Sequence, residues 1–215
     1  MRRFFLDAKA GDLVEHYNAP PPDLFSARYN IAPTTPVLAF GGAKFDLYYW
    51  GLIPSWTKDV TMGSRMFNAR AETVAGKPSF RNAYKRRRCL VPANRFYEWR
   101  LENGRKQPYC CHLGHRLFSM AGIWEHWQDA EGNAIRSCAV ITTAAKGSMS
   151  QLNQRMPVAI ATPDYEAWLD CANDQTEAAD RLLRDSAPEY EYYAVNTSVG
   201  NARNEGPDLI APLAQ

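Results

Sequence analysis

The sequence has no apolar run long enough to cross a membrane, no low-complexity tract and no internal repeat. Two arginines stand near its start, but no long apolar segment follows them, so no signal peptide is predicted. With 46% hydrophobic and 22% charged residues, the composition is typical of a globular protein and excludes a disordered chain. We therefore expect a cytoplasmic protein with one domain over residues 1–215.

Cysteine is scarce, and none occurs before Cys89. The total of five is odd, which favours buried, reduced thiols over a disulfide framework. Cys110, Cys111, His112 and His115 suggest zinc at first sight. However, four ligands within six residues rarely surround one tetrahedral ion, because a strand points neighbouring side chains to opposite faces. We expect no metal and no cofactor.

Short apolar stretches separated by frequent turns dominate the chain and predict a mainly β protein. Asn103-Gly104 and residues 131–133 are typical of hairpin turns. Helices are predicted at residues 7–17, 79–87 and, as a pair, 163–184. Strands are predicted at residues 45–50, 89–91, 95–99, 107–112, 117–123, 138–142, 156–160 and 190–195. The fold class is α+β: a single domain with a curled, mainly antiparallel sheet forming a pseudo-barrel with peripheral helices.

Positive charge is concentrated in one segment, although the net charge of the chain is only +2. Residues 65–100 contain ten basic and two acidic side chains, a local net charge of +8. Such an excess is typical of a site for a polyanion, and a solvated basic helix face is the alternative interpretation. The charge alone does not decide between the two.

Three short segments combine residue types that suit chemistry on a phosphate-bearing ligand. Asn68 and Arg70 stand two apart between alanines, where an amide and a bidentate cation could approach a ligand closely. Glu98 lies on a predicted strand among aromatic residues, a setting that suits acid–base work, although an edge-strand glutamate facing solvent would give the same pattern. Arg155 follows a polar turn, and Trp50 and Trp56 could stack on unpaired bases, although strand aromatics are more often core residues.

Together these segments resemble one family, the SOS-response-associated peptidase (SRAP) family, over nearly the whole chain. The blocks that carry the resemblance are Tyr29-Asn30-Ile31-Ala32-Pro33, Trp50-Gly51-Leu52-Ile53-Pro54-Ser55-Trp56, Phe67-Asn68-Ala69-Arg70-Ala71-Glu72-Thr73, Lys77-Pro78-Ser79-Phe80, Arg88-Cys89-Leu90-Val91-Pro92-Ala93, Phe96-Tyr97-Glu98-Trp99, Ile141-Thr142-Thr143-Ala144-Ala145 and Arg155-Met156-Pro157.

The resemblance implies a pseudo-barrel with a groove for single-stranded DNA at abasic sites. In the family, an N-terminal cysteine forms a thiazolidine with the abasic aldehyde, assisted by residues that correspond to Asn68 and Glu98 and by a histidine. This chain begins Met1-Arg2-Arg3-Phe4 without that cysteine, and Asn153 stands where the family has the histidine. Since both groups belong to one mechanism, we expect permanent crosslinking to be lost.

The predicted function is therefore recognition of single-stranded or abasic-site DNA in the response to DNA damage, by a cytoplasmic, nucleoid-associated monomer. The alternative is an active crosslinker, lyase or autopeptidase that uses the Met1 amine with Glu98, and whether the chain is an enzyme stays open. A structural role with an acidic protein partner is a third hypothesis. The predicted catalytic positions are Glu98, Asn68, Met1 and Asn153, and the predicted DNA contacts are Arg70, Arg155, Trp50, Trp56, Asn30 and Arg88.

Overall fold

The computed structural model describes residues 1–23, 25–114 and 116–213, and these contain thirteen strands and five α-helices. The strands are β1 (Arg3–Leu6), β2 (Arg28–Ile31), β3 (Pro36–Phe40), β4 (Phe45–Trp50), β5 (Asn68–Arg70), β6 (Arg88–Ala93), β7 (Arg95–Glu102), β8 (Arg105–His112), β9 (Phe118–Gln128), β10 (Ala134–Ala144), β11 (Arg155–Pro157), β12 (Ala159–Ile160) and β13 (Glu191–Ala194). The helices are α1 (Ala10–Tyr17), α2 (Arg81–Arg86), α3 (Met149–Leu152), α4 (Tyr165–Leu169) and α5 (Glu177–Asp185). Short 3-10 helices cover Val60–Arg65, Thr162–Asp164, Ala172–Asp174, Thr197–Gly200 and Pro207–Ile210.

Five strands close into a barrel in the order β4, β3, β6, β9 and β10. The ring closes because β10 pairs with β9 antiparallel and with β4 parallel. Where β9 crosses β6, Gly122 permits close approach, since an added Cβ would lie 2.8 Å from the sulfur of Cys89. This closed, mainly antiparallel sheet with small helices around it confirms the predicted α+β pseudo-barrel.

A second sheet, ordered β13, β8, β7, β1 and β2, is antiparallel throughout and packs beside the barrel. Its central strand β7 alternates between two cores. Phe96 joins the main core, whereas Tyr97 joins a smaller core with Phe5 and Val199. Successive side chains of β7 thus point to opposite faces, as expected for the strand predicted around Glu98. Because β7 lies between β8 and β1, Glu98 is on an interior strand and not on an edge strand.

Some predicted element bounds differ from the structure. Helix α1 begins at Ala10 and not at residue 7, because the capping interactions are made by Lys9 and Asp12. Leu13 and Tyr17 form the buried face of this helix, and Val14 is 43% exposed. Thr162-Pro163-Asp164 forms a 3-10 turn that leads into α4, as a helix start with proline in its first turn would suggest.

Within the described part of the chain, no helix is both long and apolar enough to cross a membrane.

Candidate functional site

The candidate site is centred on an ion pair between the start of β1 and the middle of β7. The α-amino nitrogen of Met1 lies 2.8 Å from Oε1 of Glu98, and the two side chains are 0% and 6% exposed. The antiparallel register of Arg3 with Tyr97 and of Phe4 with Phe96 brings the chain start to this point. The Met1 side chain packs into the main core, and the Met1 amine pairs with Glu98. Both ends of the residue are therefore held in place.

Two asparagine side chains complete the site. Asn153, at the end of α3, donates from Nδ2 to Oε2 of Glu98 at 2.5 Å. Asn68, on β5, donates from Nδ2 to the carbonyl oxygen of Met1 at 2.6 Å. The structure thus brings together the four positions predicted to be catalytic, although they are separated by up to about 150 residues in the chain. Oε2 of Glu98 accepts a hydrogen bond from Asn153, and Oε1 has the Met1 amine as an ion-pair partner without a hydrogen bond of good geometry. The buried Oδ1 of Asn68 has no hydrogen-bond partner among the described residues.

Exposed positive charge continues from this site along β5. Arg70 is exposed and lies two residues beyond Asn68, so the two side chains leave the strand on the same face. A surface cavity of about 540 Å³ adjoins it, lined by Arg70, Glu72, Thr73, Gly76 and Lys77. Arg70 and Lys77 give this cavity two cations of the kind that bind phosphate groups.

Arg155 stands beside that cavity but is held by an acidic neighbour. Its Nη1 and Nη2 donate to the two carboxylate oxygens of Glu72 at 2.8 and 2.9 Å, and Nη2 also donates to the carbonyl oxygen of Thr142. These hydrogen bonds from Arg155 lower the pKa of Glu72. Arg155 must therefore exchange or share this partner before it contacts an anion.

The predicted contact Arg88 lies in the interior of the protein. Its guanidinium group donates to the carbonyl oxygens of Trp168, Tyr84 and Asp170, and it lies against the rings of Tyr84 and Trp168. At 2% exposure it is not accessible to a polyanion, so its position does not fit the predicted DNA contact.

Other basic residues of the segment 65–100 also have internal partners. Arg86 pairs with Asp174, Arg87 with Glu125, and Arg100 with Glu102. The accessible charge of the segment is thus smaller than its net charge of +8. It is carried by exposed residues that form no salt bridge within the described part of the chain: Arg65, Arg70, Lys77, Arg81 and Lys85.

Trp50 and Asn30 are likewise buried. Trp50 is fully enclosed and donates from Nε1 to the carbonyl oxygen of Phe67 at 2.8 Å. Asn30 is 1% exposed, and its Nδ2 donates to carbonyl oxygens in the segment 199–204. Their burial does not fit direct DNA contact, and the sequence pattern that selected them reflects packing.

Trp56, in contrast, is 58% exposed and available for stacking. The loop that carries it begins at Gly51, where φ is +153° and an added Cβ would lie 2.4 Å from the carbonyl oxygen of Gly63. Only glycine permits this approach, so Gly51 fixes the path of the loop against the 3-10 helix Val60–Arg65.

The thiols are poorly suited to nucleophilic attack. Cys89, Cys110, Cys111 and Cys138 are buried, and Cys171 is partly buried. Burial is the main cause that raises the pKa of the Cys111 thiol, and the nearby Glu98 carboxylate raises it further. Among residues 1–23, 25–114 and 116–213, no three His, Cys, Asp or Glu side chains are placed to hold a metal ion, and His115 lies outside the described residues.

Arg2, which is not among the predicted positions, is exposed and directly follows the buried Met1.

Known proteins match this chain over most of its length. The model of the family "SOS response associated peptidase (SRAP)" matches residues 2–202. The abasic site processing protein YoqW of Bacillus subtilis is 36% identical over 218 residues, covering 97% of each chain. The abasic site processing protein HMCES of Gallus gallus is 32% identical over 189 residues, covering 76% of this chain and 56% of that protein.

Solved structures show the same fold. A protein from Bacteroides thetaiotaomicron superposes with a TM-score of 0.88 at 24% identity, over 100% of both chains. A phage-related protein from Bordetella bronchiseptica superposes with a TM-score of 0.73 at 29% identity, over 92% of this chain and 95% of that one.

Proposed function

Because the chain belongs to the SOS response associated peptidase (SRAP) family, we propose that it binds single-stranded DNA at abasic sites through the surface around Met1 and Glu98. The observation that carries this proposal is the convergence of Met1, Asn68, Glu98 and Asn153 on one enclosed point. Relatives that match nearly end to end are named abasic site processing proteins.

Each part of the surface suits one part of such a strand. The orphan Oδ1 of Asn68 is an acceptor for a hydroxyl of the sugar that has lost its base. Arg70 and Lys77 offer cations to the flanking phosphates, and Trp56 offers an exposed ring to a neighbouring base.

Salt dependence tests the electrostatic part of the proposal. We expect the affinity for a single strand containing a tetrahydrofuran abasic analogue, measured by fluorescence anisotropy, to fall steeply with salt. Arg70→Gln should lower the slope of log K against log[salt] by about 0.7, the value for one phosphate of a single strand. Arg181→Gln replaces an exposed arginine of α5 that is not part of the candidate site and should leave the slope unchanged. Binding without salt dependence would contradict the proposal.

A second candidate function is favoured by one observation, the contact between the Met1 amine and Glu98. Here the amine nitrogen would attack the aldehyde carbon of a ring-opened abasic sugar, and a hydroxyl would leave as water to give an imine. Glu98 would accept the ammonium proton and return it to the departing hydroxyl. With no thiol beside the amine, the imine would not close to a thiazolidine and would remain open to hydrolysis.

Borohydride trapping tests this second function. An adduct with abasic single-stranded DNA, located at Met1 by mass spectrometry and reduced in Glu98→Gln, would support it. If no adduct forms although the tetrahydrofuran strand is bound normally, the imine chemistry is absent and the function is recognition alone.

A further inference from the structure

A surface cavity of about 650 Å³ lies between the end of α1, the segment that joins β8 to β9, strand β12, the end of α5 and the start of β13. Apolar side chains form much of its lining: Phe118 and Ile160 are buried there, and Leu117 and Leu182 are half-buried. A cavity of this size with a mainly apolar lining is typical of sites for small organic ligands. None of its described lining residues belongs to the candidate site described above.

Carboxylates from separate parts of the chain stand around this lining. Asp164 ends a 3-10 turn, Asp185 is the last residue of α5, Glu189 lies between α5 and β13, and Glu191 is the first residue of β13. None of the four forms a salt bridge with another described residue. Arg116 is the only arginine or lysine in the described part of the lining, so four carboxylates face one guanidinium group and negative charge is in excess.

The cavity lies in the acidic part of the chain. Residues 164–191 contain nine acidic and two basic side chains, a local net charge of −7, in contrast to the +8 of residues 65–100. Such a concentration of one sign attracts the opposite charge. The ligand that suits the cavity therefore carries positive charge and has apolar parts that contact its lining.

The polar wall at the end of α1 is uncharged. Nε2 of His16 lies 2.6 Å from the hydroxyl of Tyr165. That hydroxyl is hydrogen-bonded to Ser119, which is hydrogen-bonded in turn to the buried Tyr17. Burial lowers the pKa of His16 and outweighs the opposing effect of Glu15. The imidazole is thus neutral at neutral pH and adds no positive charge that would repel a cation.

The spacing of the carboxylates distinguishes between kinds of cation. Throughout the described ranges of the chain, no three His, Cys, Asp or Glu side chains are close enough to share one metal ion. A hard metal ion also gains nothing from an apolar lining, since it prefers oxygen ligands. An aliphatic polyamine, in contrast, spaces several ammonium groups along a chain of methylene groups. Its charges can reach carboxylates that lie apart while its methylene groups bury apolar surface.

We propose that this cavity binds an aliphatic polyamine, whose ammonium groups pair with the four carboxylates and whose methylene groups contact Leu117 and Leu182. Polyamine binding at this place is independent of the proposed DNA binding, because the two sites share no residue.

Isothermal titration of the full chain with spermidine, in the absence of DNA, tests the proposal. The wild type should bind spermidine, and the double variant Asp185→Asn with Glu189→Gln should bind it about tenfold more weakly, as the loss of two exposed ion pairs predicts. The matched control is Glu177→Gln with Asp208→Asn, which removes two exposed carboxylates outside the cavity. It should change the affinity by less than about twofold.

Two further variants separate the cavity from its charge. Ala187→Trp keeps every charged group and places a large ring in the cavity, so it should abolish binding of spermidine. Ala130→Trp introduces the same ring at an exposed position of the turn between β9 and β10 and should bind spermidine as the wild type does. Mg²⁺ at the same concentration should not displace spermidine from the wild type.

Several outcomes would overturn the proposal. Absence of spermidine binding would do so directly. Displacement by Mg²⁺, or equal losses in the two double variants, would indicate diffuse attraction to the acidic surface. Normal binding by Ala187→Trp would place the ligand outside the cavity. If a lysine pentapeptide binds more tightly than spermidine, the cavity is a docking site for a basic protein segment and not a polyamine site.

Discussion

Glu98 holds the α-amino group of Met1 on one oxygen, at 2.8 Å, and the amide of Asn153 on the other, at 2.5 Å. Both partners of the Met1–Glu98 pair are nearly inaccessible to solvent. A carboxylate with an amine against one oxygen and an amide against the other is held at a defined position, as either recognition or proton transfer at a sugar would require.

Replacement of Glu98 should be costly to stability. In Glu98→Gln the Met1 ammonium would lose its countercharge in an enclosed position, and breaking such a buried pair costs about 3 kcal/mol. Urea denaturation at neutral pH measures the free energy of unfolding. Glu72→Gln, which breaks an exposed pair, is the matched control and should cost less than about 1 kcal/mol. Equal losses in the two variants would show that the Met1–Glu98 pair contributes no more than a surface contact.

Asn153 should contribute through its hydrogen bond to Glu98. Asn153→Ala leaves a buried carboxylate oxygen without its donor, which predicts a loss of about 1 to 3 kcal/mol in the free energy of unfolding. Asn82→Ala, at an exposed position of α2, should change the free energy of unfolding by less than about 0.5 kcal/mol. A neutral effect of Asn153→Ala would contradict the hydrogen bond.

The Glu72–Arg155 pair predicts a specific pH dependence. Since the pKa of Glu72 is lowered in the folded protein, its stabilising contribution is present above the pKa of the unfolded state and is lost as the pH falls through the folded value. The difference in unfolding free energy between wild type and Glu72→Gln should thus be constant near neutral pH and should vanish in acid. A difference that grows as the pH falls would have the wrong sign.

Arg88 should act on stability and not on DNA. Arg88→Met leaves three carbonyl oxygens without their donor, and we expect a loss of about 3 kcal/mol, seen as a lower thermal midpoint. At a temperature where the variant is folded, its affinity for the tetrahydrofuran strand and the salt slope should equal those of the wild type. A lower salt slope would instead place Arg88 in contact with DNA.

The sequence predicted more of the fold than of the charge distribution. Alternation around Glu98 and the glycine-bearing turns are local signals, and both are realised in the sheets. The basic run 85–88 is misleading because several of its partners, such as Asp174 and the carbonyl oxygen of Trp168, come from 80 or more residues away. No local pattern indicates that a lysine or arginine run is neutralised by distant parts of the chain.

The sequence suggested Met1, Asn68, Glu98 and Asn153 as candidates, but it could not show that they meet. The pairing of β1 with β7 brings the Met1 amine to the carboxylate of Glu98. Family resemblance supplied the candidates at this site, and long-range strand pairing determined which of them meet.

The most direct test of the central claim is a comparison of three DNAs by fluorescence anisotropy at one salt concentration. These are a single strand with one tetrahydrofuran residue, the same strand intact, and the corresponding duplex. If the site at Met1 and Glu98 receives an abasic sugar, the wild-type protein should bind the first about tenfold more tightly than either of the others. Equal affinity for the abasic and the intact single strand would contradict the account, because the exposed cations would then bind any strand without using the site.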